Sequence, residues 1–146
     1  MRMVNGELRM GNWEWSIGNG ELRIMAENVI VEKSFQFALD SINAYKILLS
    51  KNEYILSKQF LRSSTSIGAN VHESQEAVSS ADFVNKLSIA LKEARETVYW
   101  LKLLAESNYL EKEVCMKLIS DCEEIMKIIR SIILTIKQKS AKRPSQ

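Results

Sequence analysis

Apolar residues recur at steps of three and four in four successive blocks, which together cover most of this 146-residue chain after residue 24. This spacing places the apolar side chains of each block on one face of an α-helix. Block by block, the predicted faces are Phe35, Leu39, Ile42, Tyr45 and Leu49; Leu56, Phe60, Ile67, Val71 and Val78; Phe83, Leu87, Ala90, Ala94, Val98, Leu101 and Ala105; and Val114, Leu118, Cys122, Ile125, Ile129, Ile132 and Ile136. The pattern predicts an all-α protein with four long helices.

Residues that end helices are rare inside these blocks. Gly68 is the only glycine between Met25 and Arg143, and the one proline, Pro144, follows them. Glycine and proline are the strongest local breakers of helices, so their scarcity supports long helices. The four helices are predicted over about Ile30–Ser50, Glu53–Val78, Ser80–Asn108 and Glu111–Ile136.

Capping signals separate the third helix from its neighbours. Ser79 or Ser80 can cap its first turn, where Asp82 complements the helix dipole, and Asn108 is a suitable stop. Links of two to six residues make consecutive helices antiparallel. The expected fold is therefore an antiparallel up-down-up-down four-helix bundle.

Composition divides the chain into three segments. Residues 25–139 form the predicted four-helix bundle domain, and residues 140–146 form a basic C-terminal tail. Residues 1–24 hold four of the five glycines and lack a regular helical pattern. We interpret residues 1–24 as a disordered or upstream-translated extension.

A short repeat within this extension supports that interpretation. The sequence Asn5–Arg9 returns as Asn19–Arg23, and Met25 then offers a natural start. The alternative is a recognition arm that uses Trp13 and Trp15. The segment lacks the charged start and apolar run of a signal peptide, so we expect a cytoplasmic protein.

The fourth helix carries more apolar residues than one helix face can hold. Eight of the twelve residues from Ile125 to Ile136 are Ile, Leu or Met, but Lys127 and Arg130 interrupt the run, which argues against a membrane span. We interpret a second face, made of Cys115, Ile119, Met126 and Ile133, as a contact with another subunit. The sequence thus predicts a homo-oligomer.

The sequence contains no recognisable catalytic or metal-binding motif. The only histidine, His72, lacks the glutamate three residues before it that a di-metal bundle site requires. Cys115 and Cys122 are seven residues apart on one helix, about 10 Å by helical rise, which is too far for a disulfide. No phosphate-binding loop or nucleophile motif occurs. We expect no enzyme activity, no cofactor and no metal site.

Basic residues dominate the end of the chain although the formal net charge is only +2. No acidic residue follows Glu124. The six basic residues beyond it are Lys127, Arg130, Lys137, Lys139, Lys142 and Arg143. In a monomer they would be a solvated helix end, whereas an oligomer would gather them into a basic rim able to bind phosphates.

Small residues are concentrated in the middle of the second helix. The run Ser63–Ala69 contains Gly68, which should cost about 1 kcal/mol relative to alanine in a helix. Close approach of another helix would offset that cost. The alternative is a ligand or nucleic-acid contact made by the hydroxyl groups of the run.

The segments Arg62–Glu73, Ser80–Phe83 and Leu87–Leu101 together resemble the 23S rRNA intervening-sequence proteins, a family of four-helix bundles. The resemblance extends from about Val31 to the end of the fourth helix. It implies a barrel-like homopentamer associated with RNA, DNA or the ribosome. A related branch is similar to the accessory proteins of diversity-generating retroelements, which act with a reverse transcriptase.

The resemblance also places the central motif of the family on this chain. Its members here are Arg62, Ser66, Ile67, Gly68, Asn70, Glu73, Glu93 and Glu96. We expect Arg62 to pair with a carboxylate of the third helix and Asn70 to bond across helices. Ser74 stands where many members have glycine. We interpret the motif as a determinant of core packing and assembly, with a ligand site as the alternative.

Together these patterns predict a non-enzymatic helical oligomer that binds RNA or DNA weakly through its basic end. Its expected partners are further copies of itself and nucleic acid, without a membrane. The competing hypothesis is a protein-interaction scaffold or accessory subunit that binds a protein partner and has no nucleic-acid specificity of its own.

Overall fold

The computed structural model describes residues 20–142, and four α-helices account for nearly all of them. The helices are α1 (Gly20–Ser50), α2 (Leu56–Ser74), α3 (Ser80–Glu106) and α4 (Lys112–Ala141). No strand occurs between residues 20 and 142. The all-α class and the number of helices are therefore confirmed.

Helix α1 begins five residues before the predicted start of the domain at Met25. The Arg23 guanidinium contacts Glu27 Oε1 at 3.0 Å and lies over the Phe83 ring, 5.6 Å from its centroid. The contact with Phe83 joins the start of α1 to α3. The proposed recognition arm at Trp13 and Trp15 lies outside the described residues.

Each helix contacts two others, in the order α1 to α2, α2 to α3, α3 to α4 and α4 back to α1. The apolar side chains that fill the space between them form one core. Its largest fully buried members are Phe37, Phe60, Ile30, Leu48, Ile67, Leu87, Leu101, Leu104, Ile125, Ile129 and Ile132. All four helices contribute, so removal of this surface from water stabilises the four-helix fold as a unit.

A buried carboxylate caps the first turn of α2. Glu53 Oε1 accepts hydrogen bonds from the backbone N–H groups of Ile55 and Leu56 at 3.2 and 2.9 Å, and Oε2 accepts one from Ser57 at 2.6 Å. Burial opposes ionisation of Glu53, but the backbone donors outweigh it and hold the pKa of this carboxyl below its usual value. The carboxylate thus satisfies N–H groups that have no partner inside the helix.

The predicted ends of α3 are confirmed. Ser79 has extended backbone geometry, and its hydroxyl accepts a hydrogen bond from the Asp82 N–H at 3.0 Å. Asn108 follows the helix with a left-handed φ of 62°, a conformation that asparagine tolerates better than most residues. A serine cap and an asparagine stop therefore define this helix.

Helices α1 and α2 approach each other closely at Gly68. A Cβ atom at that position would lie 3.2 Å from the Ser34 carbonyl oxygen, which is tighter than ordinary van der Waals contact. The absence of a side chain is thus what permits the approach. This geometry accounts for a glycine in the middle of a helix.

The predicted core face of α1 is wrong. Phe35 and Leu39 are 56% and 41% exposed, and the other predicted members, Ile42, Tyr45 and Leu49, are only half-buried. The residues that α1 buries instead are Ala26, Ile30, Ser34, Phe37, Ser41, Ala44 and Leu48. Several of them are small because α2 approaches α1 closely, so the bulkier stripe lies on the outer side of the helix.

The predicted subunit-contact face of α4 is also wrong in part. Cys115 and Met126 are buried within the chain, and Ile119 and Ile133 are half-buried. The Cys122 thiol reaches the Ala94 carbonyl oxygen at 3.4 Å, which places this side of α4 against α3. The four predicted contact residues of α4 therefore pack within the chain, either in the core or against it.

One further residue departs from its predicted position. Val78 is 93% exposed because α2 ends at Ser74, four residues before it. The apolar spacing had extended α2 to Val78. The link that follows α2 is consequently longer than expected.

Replacing Ser41 with alanine should stabilise the protein by about 1 kcal/mol. The Ser41 hydroxyl is fully buried and has no hydrogen-bond partner among the described residues. Its removal relieves an uncompensated desolvation, and alanine is the better helix former. Urea unfolding measures the change. Ser34→Ala is the matched control, because buried Ser34 donates to the Val31 carbonyl oxygen. A Ser41→Ala variant no more stable than wild type would contradict the prediction.

Candidate nucleic-acid-binding surface

Exposed basic side chains follow the C-terminal half of α4. Lys127, Arg130 and Lys137 are all exposed, and their spacing of three and seven residues keeps them on one side of the helix. Lys139 and Lys142 are also exposed, but their positions in the helical repeat direct them to other sides. Arg143, the sixth predicted basic residue, lies outside the described residues.

A groove between α3 and α4 brings part of this set together with a residue that the sequence did not single out. The groove has a volume of about 260 Å³. Its lining consists of Arg95 and Val98 from α3 and of Glu123, Met126, Lys127 and Arg130 from α4. Three cations therefore surround a small apolar floor with one carboxylate beside it.

These cations lack the ion pairs found between other helices. No carboxylate of residues 23–142 lies within ion-pair distance of Arg95, Lys127 or Arg130. A groove of about 220 Å³ between α1 and α4 offers a contrast, since Lys33 there contacts Glu124 at 2.9 Å. That groove also holds Asp40, Lys117 and Asp121, so acidic groups outnumber basic ones. The α3–α4 groove alone of the two is basic.

The motif residue Arg62 joins α2 to α3. Its guanidinium contacts Glu93 Oε2 at 3.2 Å and also Glu96 Oε1, so it lies between two carboxylates of α3. The hydrogen bond from Arg62 lowers the pKa of Glu96 despite partial burial, and the Trp100 indole N–H donates a second hydrogen bond to Glu96 at 3.1 Å. Because Arg62 is half-exposed, solvent screening limits what the pair adds to stability.

The other polar residues of the motif form contacts within the fold. The Asn70 side-chain amide donates to the Ser66 carbonyl oxygen of its own helix at 2.8 Å, so the bond expected across helices is absent. Glu73 accepts from Lys86 of α3 at 2.9 Å. Ile67 is fully buried in the core. The ion pairs of Arg62 and Glu73 thus lie at the α2–α3 interface.

The hydroxyl groups in the middle of α2 already have partners. Ser63, Ser64, Thr65 and Ser66 each donate to a backbone carbonyl oxygen three or four residues earlier. Ser63 also meets the Thr97 hydroxyl of α3 at 2.9 Å, where both residues are fully buried. The run therefore contributes to contact between helices, and its buried serines cannot reach an external ligand.

Neither a reactive thiol nor a metal cluster is found in the described part of the chain. Cys115 and Cys122 are buried and unbonded to each other. Burial, with the nearby charges of Glu123 and Asp121, raises the pKa of the Cys122 thiol to about 12. No cluster of three metal-binding side chains occurs among residues 20–142, and none of the four helices is long and apolar enough to span a bilayer.

Comparison with known proteins places the chain in a family. A model described as "23S rRNA-intervening sequence protein" matches residues 26–131, more than half of the chain. The chain belongs to this family. Arg95, Lys127, Arg130 and the whole central motif fall within the matched range, whereas Lys137 and the basic residues after it follow its end.

A solved structure extends the comparison. It is a protein of unknown function from the S23 ribosomal protein family of Bacteroides thetaiotaomicron VPI-5482. It shares 49% identity with this chain, covers 75% of this chain and 98% of its own, and superposes with a TM-score of 0.73. No curated protein matches the chain. The expected membership in the intervening-sequence family is confirmed.

Proposed function

We propose that this member of the 23S rRNA-intervening sequence protein family is a non-enzymatic, self-associating helical bundle that binds RNA through its sugar-phosphate backbone. The basic C-terminal half of α4 carries the proposal, because Lys139 and Lys142 are exposed there as well. Lys127, Arg130 and Lys137 are exposed on one side of that helix and have no carboxylate partner among residues 23–142. The family name refers to ribosomal RNA, so ribosomal RNA is the proposed ligand and the cytoplasm is the proposed location.

The proposed architecture is the antiparallel up-down-up-down bundle. Arg62 pairs with Glu93 and Glu96, and Glu73 further along α2 pairs with Lys86 earlier in α3. A later residue of α2 thus pairs with an earlier residue of α3, which supports an antiparallel arrangement of these two helices. Lys33–Glu124 and Lys51–Tyr109 support the same relation between α1 and the part of the chain leading into α4.

Self-association is proposed through α1. Phe35 and Leu39 are exposed there beside half-buried Val31 and Ile42, and these residues together make an apolar stripe on the outer side of the helix. Exposed apolar stripes of this kind often mark subunit contacts. A homopentamer is the assembly that the family resemblance implies.

Binding of a structured RNA hairpin should weaken about tenfold when three lysines near the end of α4 are replaced. The variant is Lys137→Gln, Lys139→Gln and Lys142→Gln. For every phosphate that is no longer neutralised, the slope of log affinity against log salt should also fall by about 0.7 to 0.9. Fluorescence anisotropy across a salt series measures both quantities. A duplex DNA of equal length tests whether the surface distinguishes RNA from DNA.

A control variant removes the same charge near the end of α1 and the starts of α2 and α4. It carries Lys46→Gln, Lys58→Gln and Lys112→Gln, all at exposed positions. Lys112 and Lys137 are separated by roughly 38 Å along the helix axis. We expect the control to retain wild-type affinity. An equal loss of RNA affinity in both variants would show that only the net charge of the protein matters. Absence of salt-dependent RNA binding by the wild-type protein would overturn the proposed function.

A second candidate function is a protein-interaction scaffold, favoured by the apolar stripe on α1. In that case a polar change such as Leu39→Gln would leave self-association intact and abolish recovery of a protein partner after nuclease treatment. Loss of the oligomer in light scattering, with RNA binding weakened in parallel, favours the RNA-binding assembly instead.

A further inference from the structure

The α3–α4 groove has a feature that the basic end of α4 lacks. Its cations come from two different helices, because Arg95 belongs to α3 while Lys127 and Arg130 belong to α4. Because α3 and α4 pack against each other, the two walls of the groove are held side by side. Charges positioned in this way can contact one phosphate from two sides.

The cations that line the groove have no ion-pair partner among residues 23–142. At the α2–α3 and α1–α4 interfaces, cations meet carboxylates across the helix boundary, as Arg62 meets Glu93 and Lys33 meets Glu124. In the α3–α4 groove only Glu123 is acidic, and it forms no ion pair with the groove cations. Like charges that face each other destabilise a fold slightly, so an external anion is the partner that fits them.

The size and lining of the groove limit what that anion can be. A volume of about 260 Å³ lies just below the usual range for pockets that bind small organic molecules. The floor consists of Val98 and buried Met126, and no aromatic side chain lines it. Base stacking on aromatic rings is therefore not available there, so a nucleic acid would be contacted through its backbone.

Arginine is well suited to binding a phosphate group. Its planar guanidinium donates two parallel hydrogen bonds to phosphate oxygens, whereas lysine acts as a point charge. Arg95 and Arg130 stand on opposite walls of the groove with Lys127 beside Arg130. We infer that this groove is a binding site for a backbone phosphate of RNA and that Arg95 completes it. The inference rests on the proposed function and adds to it a defined site.

The test uses the full chain and the double variant Arg95→Gln with Arg130→Gln. We expect about tenfold weaker binding of the RNA hairpin and a salt slope reduced by about 1.4 to 1.8, because two cations no longer neutralise phosphate charge. Lys127→Gln alone should reduce the slope by about half as much. Lys58→Gln, at an exposed position on α2, is the control and should retain wild-type binding.

A conservative variant tests the geometry of the site. Arg95→Lys keeps the charge but not the planar fork, so we expect the salt slope to stay at its wild-type value while affinity falls about threefold. Thermal unfolding followed by circular dichroism checks that each variant is folded. An Arg95→Lys variant with unchanged affinity would contradict the paired hydrogen bonds of Arg95.

The outcomes separate failure of the site from failure of the function. If wild-type protein binds RNA and the variant at Lys137, Lys139 and Lys142 is impaired while Arg95→Gln with Arg130→Gln is not, the groove site is overturned and the proposed function stands. Absence of RNA binding by wild-type protein overturns both. Displacement of RNA by polyglutamate of equal charge, or by low millimolar inorganic phosphate, would assign the groove to an acidic protein or a free anion and overturn the RNA site.

Discussion

Replacing Gly68 with valine should destabilise the protein by about 2 kcal/mol, although valine is the better helix former of the two. The reason is the contact between α1 and α2. A Cβ atom at position 68 already lies 3.2 Å from the Ser34 carbonyl oxygen and 3.5 Å from the carbonyl carbon. The two methyl groups of valine must occupy space beyond that Cβ, so the helices must separate or the side chain must leave its preferred rotamer. Urea unfolding measures the loss.

The neighbouring residue provides the control for this prediction. Ala69 is exposed on the same turn of α2, so Ala69→Val reports the helix propensity of valine without the contact to α1. We expect that variant to lose about 0.6 kcal/mol. Gly68→Ala should fall between the extremes, because its gain in propensity is offset by the tight Cβ. Equal stability of Gly68→Val and wild type would show that α1 can move away from α2 without loss of stability.

Glu53→Gln should lower the free energy of unfolding by about 2 kcal/mol at pH 7. Glutamine has the shape of glutamate, but its amide nitrogen is a donor and would face a backbone N–H of Ile55, Leu56 or Ser57, where the carboxylate now accepts. The negative charge at the start of α2 is lost as well. Chemical denaturation at neutral pH measures the difference.

The pKa of Glu53 gives this prediction a pH dependence. Burial opposes the ionised form, but the backbone donors keep the folded-state pKa of Glu53 below its usual value. The stability that the carboxylate adds is therefore complete above the unfolded-state pKa of about 4.3 and is lost as the pH falls through the lower folded-state pKa. The difference between wild type and Glu53→Gln should shrink in acid.

Glu111→Gln is the control for the cap. Glu111 immediately precedes α4, whereas Glu53 lies three residues before α2, and the Glu111 side chain makes no capping hydrogen bond. We expect that variant to remain within about 0.5 kcal/mol of wild type at every pH. A difference for Glu53→Gln that persists unchanged in strong acid would show that its carboxylate is not the ionised acceptor.

The number of helices and the ends of α3 could be predicted because they depend on local chemistry. Apolar spacing, a serine cap and an asparagine stop lie within a few residues of each other along the chain. The buried side of α1 could not be predicted in this way. Two apolar stripes compete on that helix, and the contact between Gly68 and Ser34, more than thirty residues apart, decides which one faces inward.

The candidate site, too, could be predicted only in part from the sequence. Lys127 and Arg130 could be selected from sequence because no acidic residue follows them. Arg95 could not, since it is flanked by Glu93 and Glu96 and belongs to a segment of mixed charge. The fold separates these neighbours, because both glutamates contact Arg62 on the α2 side while Arg95 lines the groove toward α4. Only the packing of α3 between two helices distinguishes them.

The two deeply buried thiols make the protein suitable for site-specific labelling. Maleimides and similar reagents attack the thiolate, and burial raises the pKa of both Cys115 and Cys122. A cysteine introduced on the surface would react while the native pair stays protonated and covered. Fluorophores or spin labels placed beside the α3–α4 groove could then follow bound RNA without prior removal of the native cysteines.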